Sequence, residues 1–263
     1  MLREDHLIRS ALLFRVLYRL MPGTHGVQAG DYEFSHPVGE FTVAWNLAHG
    51  ITSTVSVTLP EGFTARQMGA AFKKAEPGFD EQTFISLAQP HEGYLFPDTY
   101  YVSVALTPQY AVDMLERNAE DHLSIYQDAI AASGHTEREI ITMASLLEGE
   151  GKTLEDKRII AGILWHRIAI GMPLQVDAPF GYIYGLTGYT PTAADLKSNS
   201  GYNTYRYKGL PQTPINNPGD VSIRAALTPT KTDYVYYLTG SDGTMHYAKT
   251  FAEHIENQKR YLQ

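Results

Sequence analysis

Apolar positions at helical and strand spacing divide the chain into recognisable segments. Leu7, Ile8, Ala11, Leu12 and Val16 trace one face of an amphipathic helix through "MLREDHLIRSALLFRVLYRLM". That face is expected to pack on the protein, with a membrane-surface role as the alternative. Pro22, Gly23 and Gly26 break the pattern, and "VQAGDYEF" reads as a turn into a short strand. "STVSVTL" alternates Val55, Val57 and Leu59 in strand fashion, and Pro60 and Gly62 end it. Thr64 with Gln67 makes a capping box that opens a helix through "ARQMGAAFKKA".

Beyond the aromatic junction "HEGYLFPDTYYVS", Pro108 opens a predicted long helix that Gly134 stops. Thr136 with Glu139 starts a second helix, "EREIITMASLLEGE". Thr153 with Asp156 resembles a weaker form of the same start, and that helix runs to Gly171 with Pro173 beyond. Residues 171–219 read as a long irregular segment. A hairpin follows, "YVYYLTG" and "TMHYA" around Asp242-Gly243, then a last helix from Thr250. The class is α+β, with helices dominating the middle.

The bulk numbers narrow the function without naming it. At 263 residues the chain is long enough for a substantial core and for two domains. A net charge of −8 argues against a general nucleic-acid binder. There is no cysteine, which excludes disulfides, thiolate catalysis and cysteine-ligated zinc. No His-Glu-x-x-His or Gly-x-Ser-x-Gly occurs, so neither a zincin site nor a serine-hydrolase elbow has support, and no cofactor or metal is expected. His166, lying within a helix and lacking a helical partner, reads as a packed or surface residue. Eighteen tyrosines suit sugar-binding surfaces and cores alike.

The informative stretch is "SLLEGEGKT", residues 145–153. Its Gly-Lys-Thr suggests a phosphate-binding loop, but Leu146 stands where that pattern requires glycine. On a helix, Ile140, Met143, Ala144 and Leu147 share one arc, with Glu148 on one edge and Glu150 on the other. Glu148 is therefore expected near the interior, where burial makes a carboxyl hold its proton more tightly. A general acid needs that adjustment. Gly149 and Gly151 add no bulk and would let a substrate approach. The plain alternative is a pair of solvated acids at a helix end.

Five blocks in order resemble the YceG-like (MltG) family of bacterial endolytic murein transglycosylases: "EGYLFPDTYYVS", "ITMASLLEGEG", "IIAGILWHRIAIGMPLQVD", "GYNTYRYKGLPQTPINNPG" and "YVYYLTG…GTMHYAKT". The resemblance implies an N-terminal helix and linker at 1–26, a LysM-like α+β module at 27–89 and a mixed, helix-rich catalytic domain at 90–263. It implies cleavage of the MurNAc-GlcNAc β-1,4 bond in peptidoglycan glycan strands, leaving a 1,6-anhydro-MurNAc end. Glu148 matches the family's catalytic acid, and Glu150 a supporting one. Glu92, Gln175, Asp177, Tyr202, Asn203, Thr204 and Tyr205 fall in matched blocks as candidate groove residues. For Asn203 and Thr204 the alternative is that they satisfy loop backbone while the tyrosines pack.

The resemblance also implies a location on the cell-wall side of the bacterial cytoplasmic membrane and a peptidoglycan synthase as partner. Membrane attachment is expected only through an N-terminal anchor that these residues do not include. The sequence departs from the family at Ala178-Pro179, where Asp-Pro is usual, and at Ser200-Gly201 in place of Ser-Pro. Gln212-Thr213 stands in place of Pro-Gly, and Gly149 where lysine is common. A noncatalytic peptidoglycan-binding protein and a hydrolytic muramidase remain the alternative readings.

Overall fold

Threonine caps set where several helices begin. The computed structural model describes residues 8, 10–20, 27, 32, 40–50, 54–103 and 106–262. The breaks at Pro22, Gly23 and Gly26, most of the strand expected in 27–34, and Leu7 lie outside them. Described helices are α1 (Ala11–Leu20), α2 (Glu40–His49), α3 (Ala65–Ala75), α4 (Glu81–Ala88), α5 (Pro108–Ser124) and α6 (Gln127–Ser133). They continue with α7 (Glu137–Leu147), α8 (Leu154–Ala169), α9 (Ala178–Tyr184), α10 (Asp220–Leu227) and α11 (Phe251–Tyr261). Two antiparallel pairs complete the helix-rich α+β fold: β1 (Thr54–Thr58) with β2 (Thr99–Ser103), and β3 (Tyr236–Thr239) with β4 (Met245–Ala248). No described helix is long and apolar enough to cross a membrane.

Capping boxes at Thr136 with Glu139, Thr153 with Asp156, and Thr250 with Glu253 are complete in both directions. Thr64 and Gln67 likewise exchange bonds at the start of α3. The box at Thr153 is complete although Asp156 is short: its side chain reaches the Thr153 hydroxyl at 2.7 Å and the Thr153 amide at 3.3 Å.

Three expectations change. The segment from Pro108 to Gly134 is two helices, because at Ile125 and Tyr126 the amides turn to the carbonyls of His122 and Leu123, three residues back. That tighter turn ends α5; Gly134, at φ 78°, ends α6. The segment 171–219 contains α9, a helix too short to display a period, opened by Pro179 in its first turn and closed by Gly185 at φ 67°. Of the expected N-terminal face, Ile8 is buried with Val43 and Leu47 of α2, but Leu12 and Val16 are exposed; the stacked pair Phe14 and Tyr18, with Leu17, packs towards Val43, Ala44 and Leu47 instead. Two aromatic rings at i and i+4 offer a large apolar area for that contact.

The residues form two compact units interleaved along the chain. One comprises 1–58, 71–80 and 99–107; the other comprises 59–70, 81–98 and 108–263. Within the first, β1 pairs with β2, so residues 99–103 return to 54–58 across 40 residues of sequence or more. Within the second, backbone bonds from Gly62 to Asn217 and from Asn217 to Phe63 tie the 59–70 segment to the C-terminal half.

The core of the larger unit is built on α7. Every residue from Ile140 to Leu147 is buried, including Thr142 and Ser145. Such a helix must satisfy its polar side chains internally. Thr142 donates to the Arg138 carbonyl and Ser145 to that of Thr142, while Ser145 Oγ accepts the Ile215 amide. Around α7 pack Ile160, Ala161 and Leu164 of α8 and Ile223, Ala225 and Ala226 of α10.

Gly162 on α8 shows how closely this layer is fitted. A Cβ there would lie 2.0 Å from the Thr230 carbonyl oxygen. The 228–230 strap is itself bonded to α8, Thr230 N donating to Arg158 O and Arg158 Nε to Thr228 O. Gly162→Ala is expected to destabilise the protein by about 1–3 kcal/mol, the usual cost of overpacking. Urea denaturation of both proteins checks it, and an unchanged midpoint would mean that the strap yields freely.

Candidate active site

Where α7 ends, its last turn delivers Glu148 into the layer between α8 and α10. The side chain is 8% exposed, so the expectation of a nearly interior position holds. Burial comes with partners that the sequence reading did not anticipate. Glu148 Oε2 lies 3.0 Å from Lys157 Nζ, and Oε1 accepts the Gly219 amide at 2.9 Å. Lys157, also buried, donates in addition to Ser222 Oγ at 2.7 Å. Thus α7, α8 and the start of α10 converge on one carboxylate. Buried charges are tolerable when paired and hydrogen-bonded in this way.

Lys157 is a functional candidate that sequence reasoning missed. A signal existed: it stands in the first turns of α8, where the helix dipole disfavours a cation. A lysine there implies a nearby anion.

Asn217 is the second missed residue, a fully buried connector. Its Nδ2 donates to Phe63 O and to Glu92 Oε1, and its Oδ1 accepts the amides of Gly93 and Leu95. Its backbone clamps the turn at Gly62, which sits at φ 79°. A Cβ on Gly62 would fall 3.6 Å from Glu148 Cβ, so this turn lies directly on the candidate acid.

Alongside lies a cleft of about 670 Å³ whose lining includes Gly149, Glu150, Glu92, Asp177, Tyr182 and Tyr202. Glu148 itself turns to Lys157 and Gly219, while its neighbours Gly149 and Glu150 form the cleft wall. Glu150 accepts the Tyr237 hydroxyl at 2.8 Å. Burial raises its pKa, with the Asp177 charge adding to the rise and the tyrosine opposing it. Glu150 and Asp177 also line an adjoining cavity of about 370 Å³, together with Gln175 and Tyr205. Tyr205 donates to Asp177 at 2.6 Å, and Gln175 is held at φ 51° with its amide on Thr204 O.

The remaining candidates divide clearly. Tyr202 lines the cleft, shares a hydrogen bond with Thr213 and meets the Tyr182 ring at 5.2 Å. Asn203 donates to the carbonyls of Asp195, Leu196 and Ser198 and accepts the amides of Tyr205 and Arg206. Thr204 bonds both the amide and the carbonyl of Val176. The side-chain bonds of these two residues thus go chiefly to the loop backbone. Among the described residues, no group of three or more His, Cys, Asp or Glu could hold a metal ion.

Glu92 is the acid of the cleft wall that burial perturbs most clearly. Its Oε1 accepts the Ala65 amide at the start of α3 and the Asn217 amide group. Burial nevertheless outweighs those donors and pushes its pKa up to about 7. A carboxyl raised in the folded state contributes stability fully present below its ordinary pKa of 4.5 and lost as pH rises through 7. The change amounts to about 3 kcal/mol across that window. Glu92→Gln is expected to lack this dependence. Urea denaturation at pH 4.5 and pH 8 should show the wild type losing stability relative to the variant; parallel curves would refute the assignment.

Comparison with known proteins finds relatives over nearly the full length of the chain. The YceG-like family pattern matches residues 1–260. An endolytic murein transglycosylase from Bacillus subtilis is 29% identical over 289 positions, covering 99% of this chain and 80% of that protein. One from Streptococcus pneumoniae is 27% identical; the alignment again covers 99% of this chain but 55% of that longer protein. The crystal structure of a YceG-like protein from Listeria monocytogenes superposes with a TM-score of 0.71 at 26% identity, covering 97% of this chain and 92% of that one. The sequence match and the structural match both extend over nearly the whole chain, through the α7 acid motif and the loops that surround it, and this protein belongs to the YceG-like family.

Proposed function

We propose that the chain is an endolytic murein transglycosylase that cleaves the MurNAc-GlcNAc β-1,4 bond of peptidoglycan strands and leaves a 1,6-anhydro-MurNAc end. The observation that carries this reading is the placement of Glu148: a carboxyl at the buried end of a helix, held by Lys157 and the Gly219 amide, beside a cleft lined by tyrosines and further carboxyl groups. The names of the B. subtilis and S. pneumoniae relatives support the same substrate and reaction class.

In this mechanism protonated Glu148 gives its proton to the glycosidic oxygen as the bond from C1 breaks. The resulting carboxylate then takes the proton of the MurNAc 6-hydroxyl as that oxygen bonds to C1. The proton balance closes on one residue, and the sugar's own hydroxyl replaces water. Lys157 stabilises the carboxylate formed midway, and Ser222 keeps the ammonium aimed. Glu150, its pKa raised by burial, offers a carboxyl to a sugar from the cleft wall. Glu92, Asp177 and Tyr202 offer further polar contacts along the cleft, and Gln175 and Tyr205 from the adjoining cavity. Asn203 and Thr204 would act indirectly, by fixing the loop.

The resemblance further supports a LysM-like module at 27–89, a position on the cell-wall side of the cytoplasmic membrane and a glycan synthase as partner. Digestion of purified peptidoglycan, with products identified by mass spectrometry, tests the activity. Anhydro-ended fragments are expected from the wild type, with the rate falling by about 10²-fold or more in Glu148→Gln. Products carrying an added water would identify a muramidase instead. Glycan binding without cutting, in wild type and variant alike, would identify a binding protein.

A further inference from the structure

The turn between β1 and α3 places a further carboxyl at the Glu148 centre. Phe63 N closes the turn on Pro60 O, and the paired backbone bonds between Gly62, Phe63 and Asn217 hold it in register. Glu61, projecting from this clamped turn, lays its carboxyl on the Cα of Gly219. A Cβ at Gly219 would lie 1.8 Å from Glu61 Oε1, so the side chain fills space that only glycine leaves open. Gly219 is also the residue whose amide bonds Glu148 Oε1. Glu61 and Glu148 therefore meet on the same short piece of backbone.

Three charged groups act on Glu61: Glu148 at the end of α7, Lys157 on α8 and Asp220 at the start of α10. Asp220 is itself held by His122 and the Tyr126 hydroxyl from α5 and the α5–α6 turn. We propose that Glu61 is a positioning residue for the reaction, seating the Gly219 amide on Glu148 and extending to higher pH the range in which the centre retains its working proton. This rests on the reading of Glu148 as the acid. Three carboxyls (Glu61, Glu148 and Asp220) near one ammonium leave an excess negative charge, which favours holding a proton within the group. Glu61's own pKa is raised accordingly, first by burial and then by the Glu148 charge, with Lys157 opposing. Glu61 is partly solvated, so the coupling is screened and modest.

The test is the pH profile of kcat/KM for strand cleavage in wild type, Glu61→Gln, Glu61→Asp and Glu148→Gln, each checked for folding by its thermal midpoint. Glu61→Gln removes the charge at nearly constant shape, and its alkaline limb is expected to move to lower pH by about 0.5–1 unit. Glu61→Asp keeps the charge on a shorter stem, and should lower kcat while leaving the limb near its wild-type position. A Glu61→Gln profile that keeps the wild-type limb, whether or not its height falls, overturns the proposal. If Glu61→Gln does not fold, a shifted limb in Glu61→Asp overturns it and an unshifted limb with reduced kcat supports it. A Glu148→Gln protein that still cuts at the wild-type rate would sink the catalytic reading itself, whereas an inactive Glu148→Gln with an unmoved Glu61→Gln limb sinks only the role of Glu61.

Discussion

A carboxylate at the buried end of a helix can persist only if its neighbours supply opposite charge and hydrogen bonds, and this constraint organises the larger unit. Glu148 needs Lys157, and Lys157 needs Ser222. The two oxygens of Glu148 require donors on different elements, so α8 and the α10 start must approach α7 together. Their apolar faces then close the core around Ile140, Leu147, Ile160 and Ile223. The polar centre and the apolar core are thus one packing arrangement: the pair fixes the mutual height of the helices, and the core excludes the water that would weaken the pair.

Asn217 extends the arrangement outward. One buried amide holds the Gly62 turn, the Gly93–Leu95 backbone and the Glu92 carboxyl at once. A site assembled from residues near 62, 92, 148, 177 and 217 is nonlocal in sequence, and such a connector keeps its parts aligned. Two glycines serve the same end in different ways: Gly62 takes the φ of 79° that brings its turn against Glu148, and Gly219, by lacking a side chain, admits Glu61.

Those distances in sequence explain what could be read from it. Helix starts were legible because a capping box is written within four residues, as at Thr136 and Glu139. The interior position of Glu148 followed from its spacing after Ala144, and the family resemblance pointed to the acid itself. The break at Ile125 and the short α9 were not legible, since neither a tightened turn nor seven helical residues leave a periodic trace. Lys157 carried a local signal in its place near the start of α8, but its partner went unread because an ion pair across a helix junction depends on how α7 and α8 cross. Asn217 and Glu61 were hidden for the same reason. Each side chain looks ordinary until the fold brings its partner across 70 residues or more. Asn203 and Thr204 illustrate the converse, with polar residues in a matched block whose bonds the structure places on backbone.

The departures from the family's usual residues look less disruptive once they are seen in space. Gly201 stands where proline is usual, and Gln212 where another proline is usual. The two are neighbours, for a Cβ on Gly201 would meet Gln212 Oε1 at 2.9 Å. Bulk removed at one position is matched by bulk added at the other. Thr213, beside Gln212, shares a 2.6 Å hydrogen bond with the Tyr202 hydroxyl, which glycine could not provide. Arg138 from α7 bonds the Gln212 carbonyl and holds that strand of the loop to the core. At the other departure, Ala178 leaves Pro179 within the first turn of α9, a position where the missing amide proton costs little. Each substitution therefore keeps the loop supported by a different contact, and Tyr202 stays at the cleft. Compensated changes of this kind argue that the loop geometry has been retained while its chemistry shifted, so differences from the relatives are to be sought in what the cleft accepts rather than in whether it forms.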